Sequence, residues 1–147
     1  MIHRLFPPFL LGTFALLSMT LAPGCSDEST GPGDEVAPTF ASIKANIFEK
    51  NCTTSSCHGE LGQRGGLILE GDDVYTNLVG VTPSNLEAAS KNLRLVVPGH
   101  PDSSFLVIKL TGPRANEGDR MPQGNSQISA QAIQAIRTWI SNGAPRE

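Results

Sequence analysis

The chain has 147 residues, of which 39% are hydrophobic and 17% charged, with a formal net charge of −3, which is room for one modest domain. Its 11 Lys and Arg are scattered, and that excludes the basic footprint on which nucleic-acid binding depends. Aromatic residues make up only 5%, and Phe6, Phe9 and Phe14 fall near the N-terminus, so the remainder has few large side chains with which to build a core.

Residues 1–24 read as an export signal. Met1-Ile2-His3-Arg4 is a short basic start, an apolar stretch runs from Leu5 to Leu21, and Ala22-Pro23-Gly24 leads to Cys25. Pro7, Pro8 and Gly12 interrupt the apolar stretch, which favours a cleaved signal over a spanning helix of ~20 apolar residues. Gly24-Cys25 resembles the end of a bacterial lipoprotein signal, in which the Cys is lipidated and becomes the mature N-terminus; ordinary cleavage or a retained anchor is the competing reading. Residues 25–38 then form a polar, acidic segment rich in turn formers that cannot bury apolar area, a flexible tether.

From residue 39 to 147 the pattern is that of a small all-α domain with long Gly- and Pro-rich loops. Thr39 is placed to cap a helix with Phe40, Ile43, Ile47 and Phe48 on one face, ending near Asn51. A short helix is expected from Asp73 to Val79. His100-Pro101 reads as a cap followed by Pro at the first helical position, opening a helix through Phe105, Leu106 and Leu110 that stops at Gly112. The last helix has Ser129 as cap, Ile128 and Ile133 as a hydrophobic staple, and Ala132, Ile136, Trp139 and Ile140 as its stripe, before Gly143 and Pro145 stop it. Leu67 to Leu69 and Leu93 to Val97 read as extended. Long loops in a compact domain usually organise around something.

The chemistry is carried by Cys52-Thr53-Thr54-Ser55-Ser56-Cys57-His58. Two neighbouring thiols can each bond a vinyl group of one haem, and a His directly after the second is then held beneath the iron as proximal ligand. The usual spacing between such thiols is two residues; here it is four. The extra loop costs below ~1 kcal/mol in closure entropy. The bland alternative is a Cys52–Cys57 disulfide closing a surface loop in an oxidising compartment. A zinc site from both thiols with His58 and His100 fits no familiar spacing.

A haem iron with His on one side commonly takes Met on the other, a soft ligand that raises the potential. Met1 and Met19 fall in the signal, which leaves Met121, in Gly118-Asp119-Arg120-Met121-Pro122, a polar loop with no apolar stripe for it to join. His100 is the competitor for that position. Arg64, Arg94 and Arg120 are candidates to neutralise haem propionates, with plain solvation the alternative for each.

Taken together, Ile47-Phe48, Cys57-His58-Gly59, Gly65-Gly66-Leu67, Val97-Pro98-Gly99, Ser104 with Leu106, Met121-Pro122 and Trp139-Ile140 with Gly143-Ala144 occur in an order that resembles small exported bacterial c-type cytochrome domains of the planctomycete and myxobacterial type. The resemblance covers about Ile43 to Pro145. It implies a cytochrome c-like fold, one covalent haem c on Cys52 and Cys57, and His58 and Met121 as axial iron ligands. The chain departs from it at His100, where Asp is common, at Gln123, where a second Pro is common, and in an insert from Thr82 to Asn92. The function expected is a non-enzymatic electron carrier, exported to the periplasm or cell surface, held to a membrane by lipid on Cys25 and exchanging electrons with a redox protein. The alternative is a haem-free, disulfide-closed interaction module of a surface lipoprotein; a haem enzyme or ligand sensor would need an open distal position.

Overall fold

The computed structural model describes residues 35–54, 56–124 and 127–147. The export signal, Cys25 and the greater part of the tether lie outside the described residues. Among these, no helix is long and apolar enough to cross a membrane, and the domain is mostly helical without a strand.

The first helical run begins where the Thr39 Oγ1 accepts from the Ser42 N–H at 3.3 Å, satisfying an amide that the first turn leaves unpaired. It comprises α1 (Phe40–Ile43), a π-helical stretch Lys44–Phe48, and α2 (Glu49–Asn51). Phe40, Ile43, Ile47 and Phe48 are buried, as their spacing predicts. The π widening was not predicted, and it sits one short turn, α2, before Cys52; π turns often mark functional positions.

The short helix α3 (Val74–Leu78) buries Val74 and Leu78. The extended reading of Leu93 to Val97 is met only by two isolated parallel bridges, Val79 with Val96 and Arg94 with Ser104. Between them lies α4 (Leu86–Ser90), capped by Asn85 Oδ1 on the Ala88 N–H at 2.8 Å, a helix inside the segment read as an insert.

The helix predicted to open at His100 is divided in two. A 3-10 turn covers Pro101–Ser103, Ser104 is extended at φ −87 and ψ 120, and only then does α5 (Phe105–Thr111) begin, ending at Gly112. His100 makes no side-chain cap. The break has a long-range cause. The Phe105 and Leu106 N–H groups donate to Arg94 O and Leu95 O at 2.8 and 2.9 Å, while buried Ser104 Oγ accepts from the Val97 N–H and donates to His100 O. These partners replace the ones a continuous helix would supply.

The last helix, α6 (Ala130–Ser141), follows its prediction. Ser129 Oγ accepts from the Ala132 N–H at 3.1 Å, and Ala132, Ala135, Ile136, Trp139 and Ile140 are buried. Phe40 of α1 joins it to α3, with its ring 5.7 Å from that of Trp139 and edge-on to Tyr75 at 5.2 Å, a geometry that adds to apolar burial. The tail folds back over this joint. The Tyr75 hydroxyl donates to Ala144 O at 2.9 Å, and the Trp139 Nε1–H to Pro145 O at 2.8 Å.

Candidate functional site

The chain leaves α2 into a compact turn. The Cys57 N–H donates to Thr54 O and the His58 N–H to Cys52 O, both at 2.8 Å, so Cys52 and His58 face one another across the loop closure. Two glycines allow it. A Cβ at Gly59 would lie 2.7 Å from Thr53 O, and one at Gly62 would lie 2.6 Å from Cys57 N, both closer than carbon can approach. Gly59 stands in the sequence motif, but Gly62 gave no sequence signal beyond being a glycine.

The two thiols differ. Cys52 is half-buried and its Sγ lies 3.8 Å from Ile47 O of the π stretch; burial first, then the neighbouring Cys57 sulfur, pushes its pKa up to about 12. Cys57 accepts from Thr54 Oγ1 at 3.2 Å, and chiefly that hydrogen bond, with help from Ser56 and Arg64, lowers its pKa. Both are free thiols.

His58 is held from behind. Its Nδ1 lies 3.2 Å from Leu67 O, a carbonyl, so Nδ1 carries a proton and donates, and in the neutral ring the lone pair is on Nε2. A carbonyl bonded to one imidazole nitrogen is a common way for a protein to orient the other toward a metal.

Cys52, His58 and Met121 line the same cavity, of about 680 Å³, within the ~300–1,000 Å³ typical of cofactor sites. Its apolar wall comes from Leu67, Leu69, Leu78, Leu95, Phe105, Leu106 and Leu110. Met121 reaches it from the loop after α5, where its N–H donates to Lys109 O at 2.7 Å. Cys57 precedes His58 but does not itself line the cavity.

His100 is exposed and takes no part in the cavity. Of the three arginines, only Arg64 lines it. Arg94 is engaged by Thr82 Oγ1, and the Arg120 Nε–H donates to Leu110 O. Among the described residues, no group of three or more His, Cys, Asp or Glu side chains is gathered to hold an ion, so the four zinc ligands considered from sequence are not brought together. A larger cleft, about 730 Å³, runs between the first helical run and α6, but its lining, with Asn46, Lys50, Gln131 and Gln134, holds none of the predicted site residues.

The fold and cavity define a small, mostly helical domain with a largely apolar cavity lined by one imidazole and one thioether. No protein-family model, no curated protein and no solved structure matches the chain.

Proposed function

We propose that this protein is an electron carrier, a mono-haem c-type cytochrome with His58 and Met121 as axial ligands, exported and lipid-anchored through Cys25. The observation that carries the reading is the shared cavity. An imidazole with Nδ1 already spent on Leu67 O and the lone thioether of the mature chain line one apolar space large enough for a cofactor, next to a half-buried thiol. A haem supplies a one-electron iron couple when bound.

The rest is done by the chain. Leu67 O fixes the tautomer and direction of His58. Cys52, on the cavity wall, and Cys57, in the turn beside it, would hold the cofactor covalently through thioether bonds, an addition that needs no oxidant. The leucines and Phe105 line the cavity with apolar surface, which would keep water from the cofactor and, with the Met ligand, raise its potential. With His58 and Met121 both holding the iron, the site would leave it no position for a substrate, and the protein's task would reduce to setting a potential and presenting an edge to a redox partner.

The test is expression of the full chain in a host with c-type maturation, followed by a pyridine haemochrome spectrum. A haem that stays with the protein through acid-acetone extraction, one per chain, is the expected result. A colourless protein whose mass shows an intact Cys52–Cys57 disulfide would replace this reading with the haem-free interaction module.

A further inference from the structure

The segment from Thr82 to Asn92 stands outside the resemblance and has no task in the haem reading. It is also poorly anchored by apolar contact: Leu86 is 85% exposed, and of α4 only Ala88 is buried. Polar contacts hold it instead, and they run to both sides of the cavity.

On the His58 side, Ser84 Oγ donates to Gly65 O at 2.7 Å. Gly65 lies in the turn that delivers Leu67, whose carbonyl orients His58. On the Met121 side, Asn85 Nδ2 donates to Asn116 O at 3.1 Å, and Lys91 Nζ lies 3.0 Å from Glu117 Oε1. Lys91 is also 3.0 Å from Glu87. The Glu117 side chain is fully covered, and its second oxygen accepts from the Arg114 N–H at 2.8 Å. Glu117 O in turn accepts from Lys109 Nζ at 3.1 Å, and Lys109 O accepts from the Met121 N–H. Pro83, Ser84 and Asn85 themselves line the cavity.

We infer that the α4 segment is a strap across the cavity that couples the His58 turn to the Met121 loop, with Asn85 and Lys91 as positioning residues that fix where Met121 sits. A covered carboxylate tolerates no loss of partners, so Glu117 is the point at which a surface helix gains control over the loop. The role at Met121 rests on the haem reading, whereas the strap does not.

The experiment compares wild type with Lys91→Met, Asn85→Ala, the double variant and Lys91→Arg, in the full chain as isolated from the maturation-competent host. Amide hydrogen exchange over residues 113–121 is the first readout. Exchange there should rise about tenfold in Lys91→Met, the scale of one lost charge-assisted hydrogen bond, rise further in the double variant, and return toward wild type in Lys91→Arg. The second readout is carbon monoxide added to the ferrous protein, which wild type resists and the double variant admits, with a weakened sulfur–iron absorption in the ferric form. Unchanged exchange over 113–121, with acceleration confined to 85–92, overturns the strap. So does equal acceleration in α6, which makes the contacts a matter of global stability only. In a haem-free preparation the exchange data alone decide the strap, and the control of Met121 as ligand fails together with the haem reading.

Discussion

Gly62→Ala tests whether the turn that carries Cys57 and His58 is as tight as its geometry requires. An added Cβ would meet Cys57 N at 2.6 Å and the Ser56 carbonyl carbon at 2.8 Å. Both are backbone atoms, so no rotamer change relieves the overlap. The turn must open by several tenths of an ångström, against the Cys57–Thr54 and His58–Cys52 hydrogen bonds that close it. Overpacking of this kind costs about 2–3 kcal/mol. Gly66→Ala is the control: its Cβ meets nothing within 4 Å, and only its φ of +68 is unfavourable, which costs about 1 kcal/mol. At roughly 4–8 °C per kcal/mol for a small domain, Gly62→Ala should lower the melting temperature by more than ~10 °C and Gly66→Ala by about half of that or less. Urea and thermal unfolding followed by the fluorescence of Trp139, the single Trp of the chain, measure both. Covalent haem per protein should also fall in Gly62→Ala. A Gly62→Ala protein as stable as Gly66→Ala would refute the close-packed turn.

Met121→Ala should open the distal side, abolish the weak red-region absorption of sulfur-ligated ferric iron and admit carbon monoxide, while His100→Ala leaves all three as in wild type; the reverse pattern would make His100 the ligand. In protein prepared without haem and with thiols reduced, iodoacetamide at pH 8 should label Cys57 well before Cys52. The thiolate is the reactive form, lowered in pKa at Cys57 and held off to about 12 at Cys52, and equal labelling by mass spectrometry would contradict the burial of Cys52. Cys25→Ser should move the protein from the membrane to the soluble fraction, and continued sedimentation with membrane would place the anchor elsewhere.

Where local signals sufficed, the structure was legible. Helix α6 has a cap, a staple, a stripe and a stop within twenty residues, each pointing the same way. Helix α4 has none of these but its cap, because a five-residue helix with one buried Ala shows no periodicity. The break at Ser104 could not be seen because its cause is backbone pairing with Arg94 and Leu95, which no side-chain pattern encodes. The spacing of Phe40, Ile43, Ile47 and Phe48 fits an α-helix and a π-widened one alike. At the site, residue types announced Cys52, Cys57, His58 and Met121. Their support was silent, since Leu67 contributes a backbone carbonyl and any residue would offer one. Lys109 and Glu117 gave no pattern at all, and only the folded loop brings them beside Met121.

The contact between Phe40 and Trp139 joins positions 99 residues apart. Closing a ring of that length costs several kcal/mol of chain entropy before any contact is gained, by the (3/2)RT ln n rule about 4 kcal/mol. The first helix therefore gains its contact with Trp139 only when the last helix docks. Until the final helix docks, Phe40 lacks its Trp139 partner, although Leu69, Val74, Leu78 and Leu110 share one cluster with Ile43, Ile47 and Phe48 and the turn after Cys52 is closed by its own hydrogen bonds. α6 is in this sense a keystone of the packed core: damage to Trp139 or to the tail that caps it is felt at Phe40, 99 residues earlier, while the cavity, whose lining comes from residues 52 to 123, is touched only through that core.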